Sequence, residues 1–248
     1  MSDRGKPWYR DPPVVISMIV GVLAIIAGLG ALVRGCAEPP PALSVVYIVD
    51  RSAGMGGSIG GKDKLAAVKA EILGQVRDRP NVATALRLTG GGECSGGYEP
   101  PTVDYAEDNA DAFASALEGV RAEGPSDFAR GLDRAVNDML GDDAAAQSKS
   151  RTIFVAVGGV DTCARDQAIP IIDGALRALR AKGQVDMTFK FVGVKPPRAV
   201  KRLLEKVRGR VDALGFTAET VIADTPEELA DALPDLPSPS DDAYDDEG

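Results

Sequence analysis

The sequence predicts an α/β domain: a mainly parallel central sheet with helices on both faces, plus one N-terminal transmembrane helix. Three observations carry this expectation. Short β-branched-rich apolar runs, at 43–49, 152–157 and 187–194, alternate with longer segments whose apolar residues recur at helical spacing. The first run, Leu43, Val45, Val46, Tyr47, Ile48 and Val49, is apolar at consecutive positions, as in a strand buried on both faces. Residues 14–33 carry no charge and are long enough for the roughly 20 residues a helix needs to cross a bilayer.

In chain order, residues 1–13 are polar, with Arg4, Lys6 and Arg10 against Asp3 and Asp11, and Trp8 and Tyr9 precede the apolar run where interfacial aromatics gather. The run exceeds the roughly 7–15 apolar residues of a signal-peptide core, and Arg34 fits poorly before the lipoprotein-like pair Gly35-Cys36. We therefore expect an uncleaved signal anchor in the cell membrane. The basic excess before it places the N-terminus in the cytoplasm and the remainder in periplasm or extracellular space. Residues 34–42 form a Pro-rich spacer and residues 43–233 the globular domain.

Within the domain, the first strand (43–49) stops at Asp50 and a glycine-laden loop leads to a helix over 64–77. A second strand covers 82–88, and an irregular loop over 90–101 holds Cys94. Helices follow over 109–120 and 126–140, then a strand over 152–157 and a helix over 166–181, where Pro170 sits near the first turn and is tolerated. A strand over 187–194, a basic helix over 198–207 and a short strand over 220–222 come next. Thr225-Pro226-Glu227-Glu228 opens a last helix with a strong N-terminal signature. Residues 234–248 lack apolar periodicity and carry six acidic and no basic residues from Asp235 on, which reads as a disordered acidic tail.

Composition excludes several function classes. The chain has 28 Lys+Arg against 37 Asp+Glu, net −9, which argues against nucleic-acid binding. It has no histidine, which removes His-based acid–base catalysis, His triads and His-ligated zinc. Three cysteines, Cys36, Cys94 and Cys163, are too few for a disulfide scaffold or a four-Cys zinc site. For Cys36, an intermolecular bridge and acylation both stay open.

A buried strand that delivers Asp50 and Ser52 into a loop before a helix is the geometry of a ligand site, because open α/β sheets bind beyond the carboxyl ends of their strands. The stretch Val49-Asp50-Arg51-Ser52-Ala53-Gly54-Met55 resembles the first metal-site motif of the von Willebrand factor A family, Asp-x-Ser-x-Ser. Asp50 and Ser52 match, and Gly54 stands at the second Ser. Gly124-Pro125-Ser126-Asp127-Phe128 resembles the family's second element, with Ser126 in the place of a Thr. Ser126 reads equally as a helix N-cap. The family's third element is an Asp after the fourth strand. Here Val157-Gly158-Gly159 lacks it, and Asp161 lies three positions on. The resemblance spans residues 43–233 and implies the Rossmann-like von Willebrand A fold. It also implies a protein partner bound at this loop end, no enzymatic activity, and a degenerate site for Mg2+ or Mn2+, formed by Asp50, Ser52, Ser126 and Asp161, with metal dependence weak or lost. Bacterial members of the family carry cysteines in the loops of Cys94 and Cys163, so a Cys94–Cys163 bridge is implied in an oxidising compartment, with two free thiols as the alternative.

Two other readings stay open. Residues 56–63, GGSIGGKD, nearly fit the phosphate-binding loop G-x-x-x-x-G-K-[ST] and would make the chain a nucleotide-binding enzyme through Lys62. Asp63, however, replaces the hydroxyl that would hold Mg2+. Alternatively, the domain is a structural module of an envelope complex, with the membrane helix and acidic tail as its working ends.

Overall fold

The computed structural model describes residues 43–94, 100–141, 148, 150–184 and 186–236. The expected cytoplasmic segment, transmembrane helix and spacer, and the acidic tail beyond Leu236, lie outside the described residues. Among the described residues no helix is long and apolar enough to cross a membrane.

The strands are β1 (Leu43–Asp50), β2 (Ser58–Ile59), β3 (Lys62–Asp63), β4 (Ala83–Thr89), β5 (Val103–Ala106), β6 (Ser150–Val157), β7 (Met187–Val194) and β8 (Thr217–Ala223). The helices are α1 (Lys64–Asp78), α2 (Ala110–Leu117), α3 (Phe128–Gly141), α4 (Ala168–Ala181), α5 (Arg198–Ala213) and α6 (Pro226–Asp231). Six strands form one sheet in the order β5-β4-β1-β6-β7-β8. All neighbours pair in parallel except β5, which runs antiparallel on β4.

β1 lies at the centre and every residue of it is buried. Its consecutive apolar residues serve two cores, because successive side chains point to opposite faces. Val46 and Ile48 join Phe128, Leu132 and Val136 of α3 and the apolar stripes of α4 and α5. Val45, Tyr47 and Val49 join Leu65, Val68 and Ile72 of α1, Phe113 of α2 and Leu229 of α6. Tyr47 sits edge-on to Phe113 at 5.9 Å between ring centroids, and its hydroxyl donates to Gln75 Oε1 at 2.7 Å, so its polar end is satisfied inside the core.

Four details differ from the sequence expectation. β5 is an additional strand. Only two of its residue pairs register with β4, across an irregularity, so its four residues show little alternation. β8 is longer than residues 220–222, because it follows the whole of β7 in parallel from Thr217 to Ala223. α5 runs past Gly209 to Ala213, because Val211 continues the stripe of Val200, Leu204 and Val207. Residues 56–63 form no open loop. β2 and β3 pair as a hairpin turned by Gly60 and Gly61, both at positive φ (54° and 82°), which is the backbone of a tight two-residue turn.

Candidate functional site at the head of the sheet

The strand order reverses direction between β1 and β6, so their carboxyl ends bound the crevice where ligands of open α/β sheets sit. Asp50 ends β1, and Gly158 and Gly159 follow β6. The loops here are tied together by main-chain hydrogen bonds. Arg51 N donates to Thr89 O at 2.8 Å, Ala53 N to Gly124 O at 2.9 Å, Glu123 N to Arg51 O at 2.9 Å and Gly91 N to Pro125 O at 2.9 Å. Thr162 N and Cys163 N both donate to Ser126 O at 3.1 Å. A disulfide joins Cys94 to Cys163 and so links the exit of β4 to the exit of β6.

The structure brings Asp50, Ser52 and Ser126 together. Asp50 is fully buried; its Oδ1 accepts from Ser52 N and its Oδ2 from Ser52 Oγ, both at 2.9 Å. Burial pushes the carboxyl up from its ordinary value, against the opposing pull of the Ser52 N–H and hydroxyl, the Gly158 N–H and the Ser126 hydroxyl. Ser126 Oγ faces this carboxylate but meets no partner with full hydrogen-bond geometry. Asp161 is engaged elsewhere. Its Oδ2 accepts from Ala129 N in the first turn of α3 at 2.9 Å, and its Oδ1 from Ala164 N at 2.7 Å. It therefore acts as a cap that satisfies two otherwise orphaned amides.

Main chain crowds the places of the two missing ligands. Gly54 is packed so closely that a Cβ there would stand 2.2 Å from Gly159 Cα, and a Cβ on Gly158 would stand 2.6 Å from Met55 Sδ and 2.7 Å from Gly54 O. A serine at 54 or an aspartate at 158 has no room, because backbone contact fills both places. What remains is one carboxylate and two hydroxyls, on residues no more than 2% exposed. Among the described residues no group of three or more His, Cys, Asp or Glu could hold a metal.

The hairpin also disposes of the phosphate loop. Ile59 is buried in the core, and Asp63 Oδ1 caps the first turn of α1 by accepting from Ala66 N at 2.8 Å. A carboxylate thus occupies the helix terminus where a phosphate would bind.

Three residues of this end stand out in the structure although sequence reasoning passed over them. Lys64 is buried beside Gly54. Its Nζ donates to Gly54 O at 3.3 Å and Lys195 O at 3.1 Å, and burial, then the nearby Lys195, lowers its pKa. Val160 is 44% exposed, the one large hydrophobic side chain exposed among the described residues. Arg51 is half-buried, with Nε donating to Gly90 O at 2.9 Å. The signal for Arg51 was its place inside the Asp-x-Ser motif; Val160 and Lys64 had none beyond position.

No family model matches the chain, and no curated protein matches it in sequence. Solved structures do match the fold. The VWA domain of SpRpn10 superposes with a TM-score of 0.55 at 14% identity, covering 77% of this chain and 93% of that one. The PilB minor pilin from Streptococcus sanguinis gives 0.60 at 10% identity, covering 78% of this chain and 60% of the pilin. The pilus adhesin SpaC from Lactobacillus rhamnosus GG gives 0.58 at 14% identity, covering 78% of this chain and 30% of the adhesin. Sheet order, site position and these likenesses agree: the described domain has the fold of a von Willebrand factor A domain.

Proposed function

We propose that the domain docks a protein partner through the loops at the head of its sheet, without a metal ion, while residues 14–33 hold it at the cell membrane with the domain outside. The observation that carries this reading is Val160. An exposed apolar side chain stands in the loop after β6, next to Gly159, on a face rigidified by the disulfide and the loop-to-loop hydrogen bonds. An ordered surface with an apolar centre loses little entropy on binding. The likeness to a pilus adhesin and a minor pilin accords with a docking role. Catalysis has no support here: the buried Asp50 carboxylate is enclosed by its own donors, and the chain has no histidine to activate a hydroxyl.

A photo-crosslinking residue placed at Val160, with a control at Glu205 on the outer side of α5, tests the reading in cells. A partner captured from position 160 alone, with and without EDTA, supports it. A domain that stays monomeric and captures nothing from either position refutes it.

A further inference from the structure

Beyond the exits of β1 and β4 lies a cavity of about 230 Å³, bordered by Arg51, Glu93, Asp127, Arg134 and Cys163 and by the residues that end β4. Ligand pockets for drug-sized molecules run to roughly 300–1,000 Å³, so this one suits a single side chain rather than a nucleotide.

Its charges are unequally matched. Asp127 is buried and lies 3.5 Å from the Arg130 guanidinium, and Arg134 adds a second positive charge beside it. Burial pushes the Asp127 carboxyl up, against the pull of Arg130 and Arg134. Glu93 is exposed at the rim, where water screens it. The unmatched group is Arg51. Only its Nε has an acceptor, Gly90 O, and among the described residues no carboxylate stands within ion-pair distance of it. The stem is pinned against Gly91, where a Cβ would come within 2.9 Å of Arg51 Cγ and Nε. Gly91 at φ 80° leaves that space open.

A planar cation held by one nitrogen, with its two terminal nitrogens free, is a fork for a carboxylate. Such charge-assisted, two-pronged pairs are the strong and geometrically specific ones. Fixing the fork in advance removes much of the ordering cost of binding. The geometry points to a carboxylate pocket: an Asp or Glu side chain of the docked partner enters this cavity and is gripped by Arg51. This assignment rests on the docking reading and names the chemistry that the partner brings.

The test uses the full chain with its arginine side chains labelled for NMR, titrated with acetyl-Gly-Asp-Gly-amide and with the matched Asn peptide. The Arg51 Nε–H signal should move saturably with the Asp peptide and bind the Asn peptide about tenfold more weakly. Followed instead through the backbone amides of Gly90 and Gly91, the response should be abolished by Arg51→Gln and weakened by Arg51→Lys, with the amide spectrum away from the cavity unchanged. No movement, or equal movement with both peptides, overturns the pocket. The crosslink from position 160 separates the two ideas. If Arg51→Gln leaves its yield undiminished, the pocket is wrong and the docking reading stands. A saturable Asp-peptide response with no captured partner supports the pocket and removes the docking reading.

Discussion

Gly54 and Gly159 touch backbone to backbone: a Cβ on Gly54 would lie 2.2 Å from Gly159 Cα and 2.5 Å from Gly159 N. The contact closes the crevice between the exits of β1 and β6 with main chain. Gly54→Ser, which restores the Asp-x-Ser-x-Ser pattern, should therefore destabilise the domain by about 2 kcal/mol or more, because neither partner is a flexible side chain that can step aside. Chemical denaturation checks it. A variant as stable as the parent, or one stabilised by Mg2+, would show that the crevice opens.

Ser126 and Asp161 should separate in the same assay. Ser126 Oγ is buried and faces the Asp50 carboxylate without full hydrogen-bond geometry, so Ser126→Ala should cost no more than about 1 kcal/mol. Asp161 satisfies the amides of Ala129 and Ala164, so Asp161→Ala should cost about 1–3 kcal/mol. The opposite ranking would mean that Ser126, not Asp161, holds this end together.

The Cys94–Cys163 bridge spans a sequence separation of 69 residues. Closing a loop of that length restrains the unfolded chain, by about 4 kcal/mol in the chain-entropy description. Replacing both cysteines by alanine should lower stability by up to that amount. It should also speed amide exchange in the loops after β4 and β6 more than in β1 and β6. Uniform or absent change would contradict a local tie.

Asp50 gives a pH signature. Its folded-state pKa is raised above 3.8 by burial, so the folded chain holds the proton more tightly than the unfolded one. The group's contribution to stability is therefore greatest below the unfolded value and falls as pH rises through the raised value. Asp127, raised by the same cause, acts in the same direction. Asp50→Asn removes the Asp50 share, so the variant should gain on the parent as pH rises above about 4 and through the raised value. Denaturant titrations across that range read the difference. A gap that stays constant would mean that the carboxylate is charged at no cost.

The fold was legible because its central strands are uninterrupted apolar runs. Leu43–Asp50, Ser150–Val157 and Met187–Val194 advertise burial on both faces, and the helical stripes between them fix the alternation. Pro170 falls in the first turn of α4, where its missing N–H does no harm. What escaped was set by tertiary pairing. β5 exists through two register pairs with β4, and residues 56–63 become a hairpin because Ile59 finds a place in the core. At the site, the motif picked out Asp50, Ser52 and Ser126, which the fold brings together. It could not show that Asp161 turns to cap α3, nor that the glycines at 54 and 158 mark a backbone contact rather than bare omissions. Such facts depend on loops meeting across the sheet.

The central claim is that the head of the sheet is complete without a cation. The most direct test is a thermal melt of the protein in EDTA and then in excess Mg2+ or Mn2+, for the parent and for Asp50→Ala. A ligand that binds only the folded state raises stability by about 2.7 kcal/mol at a hundredfold excess over Kd. We predict no shift in the parent's Tm with either metal. An upward shift that disappears in Asp50→Ala would contradict the account and restore the carboxylate to a metal site.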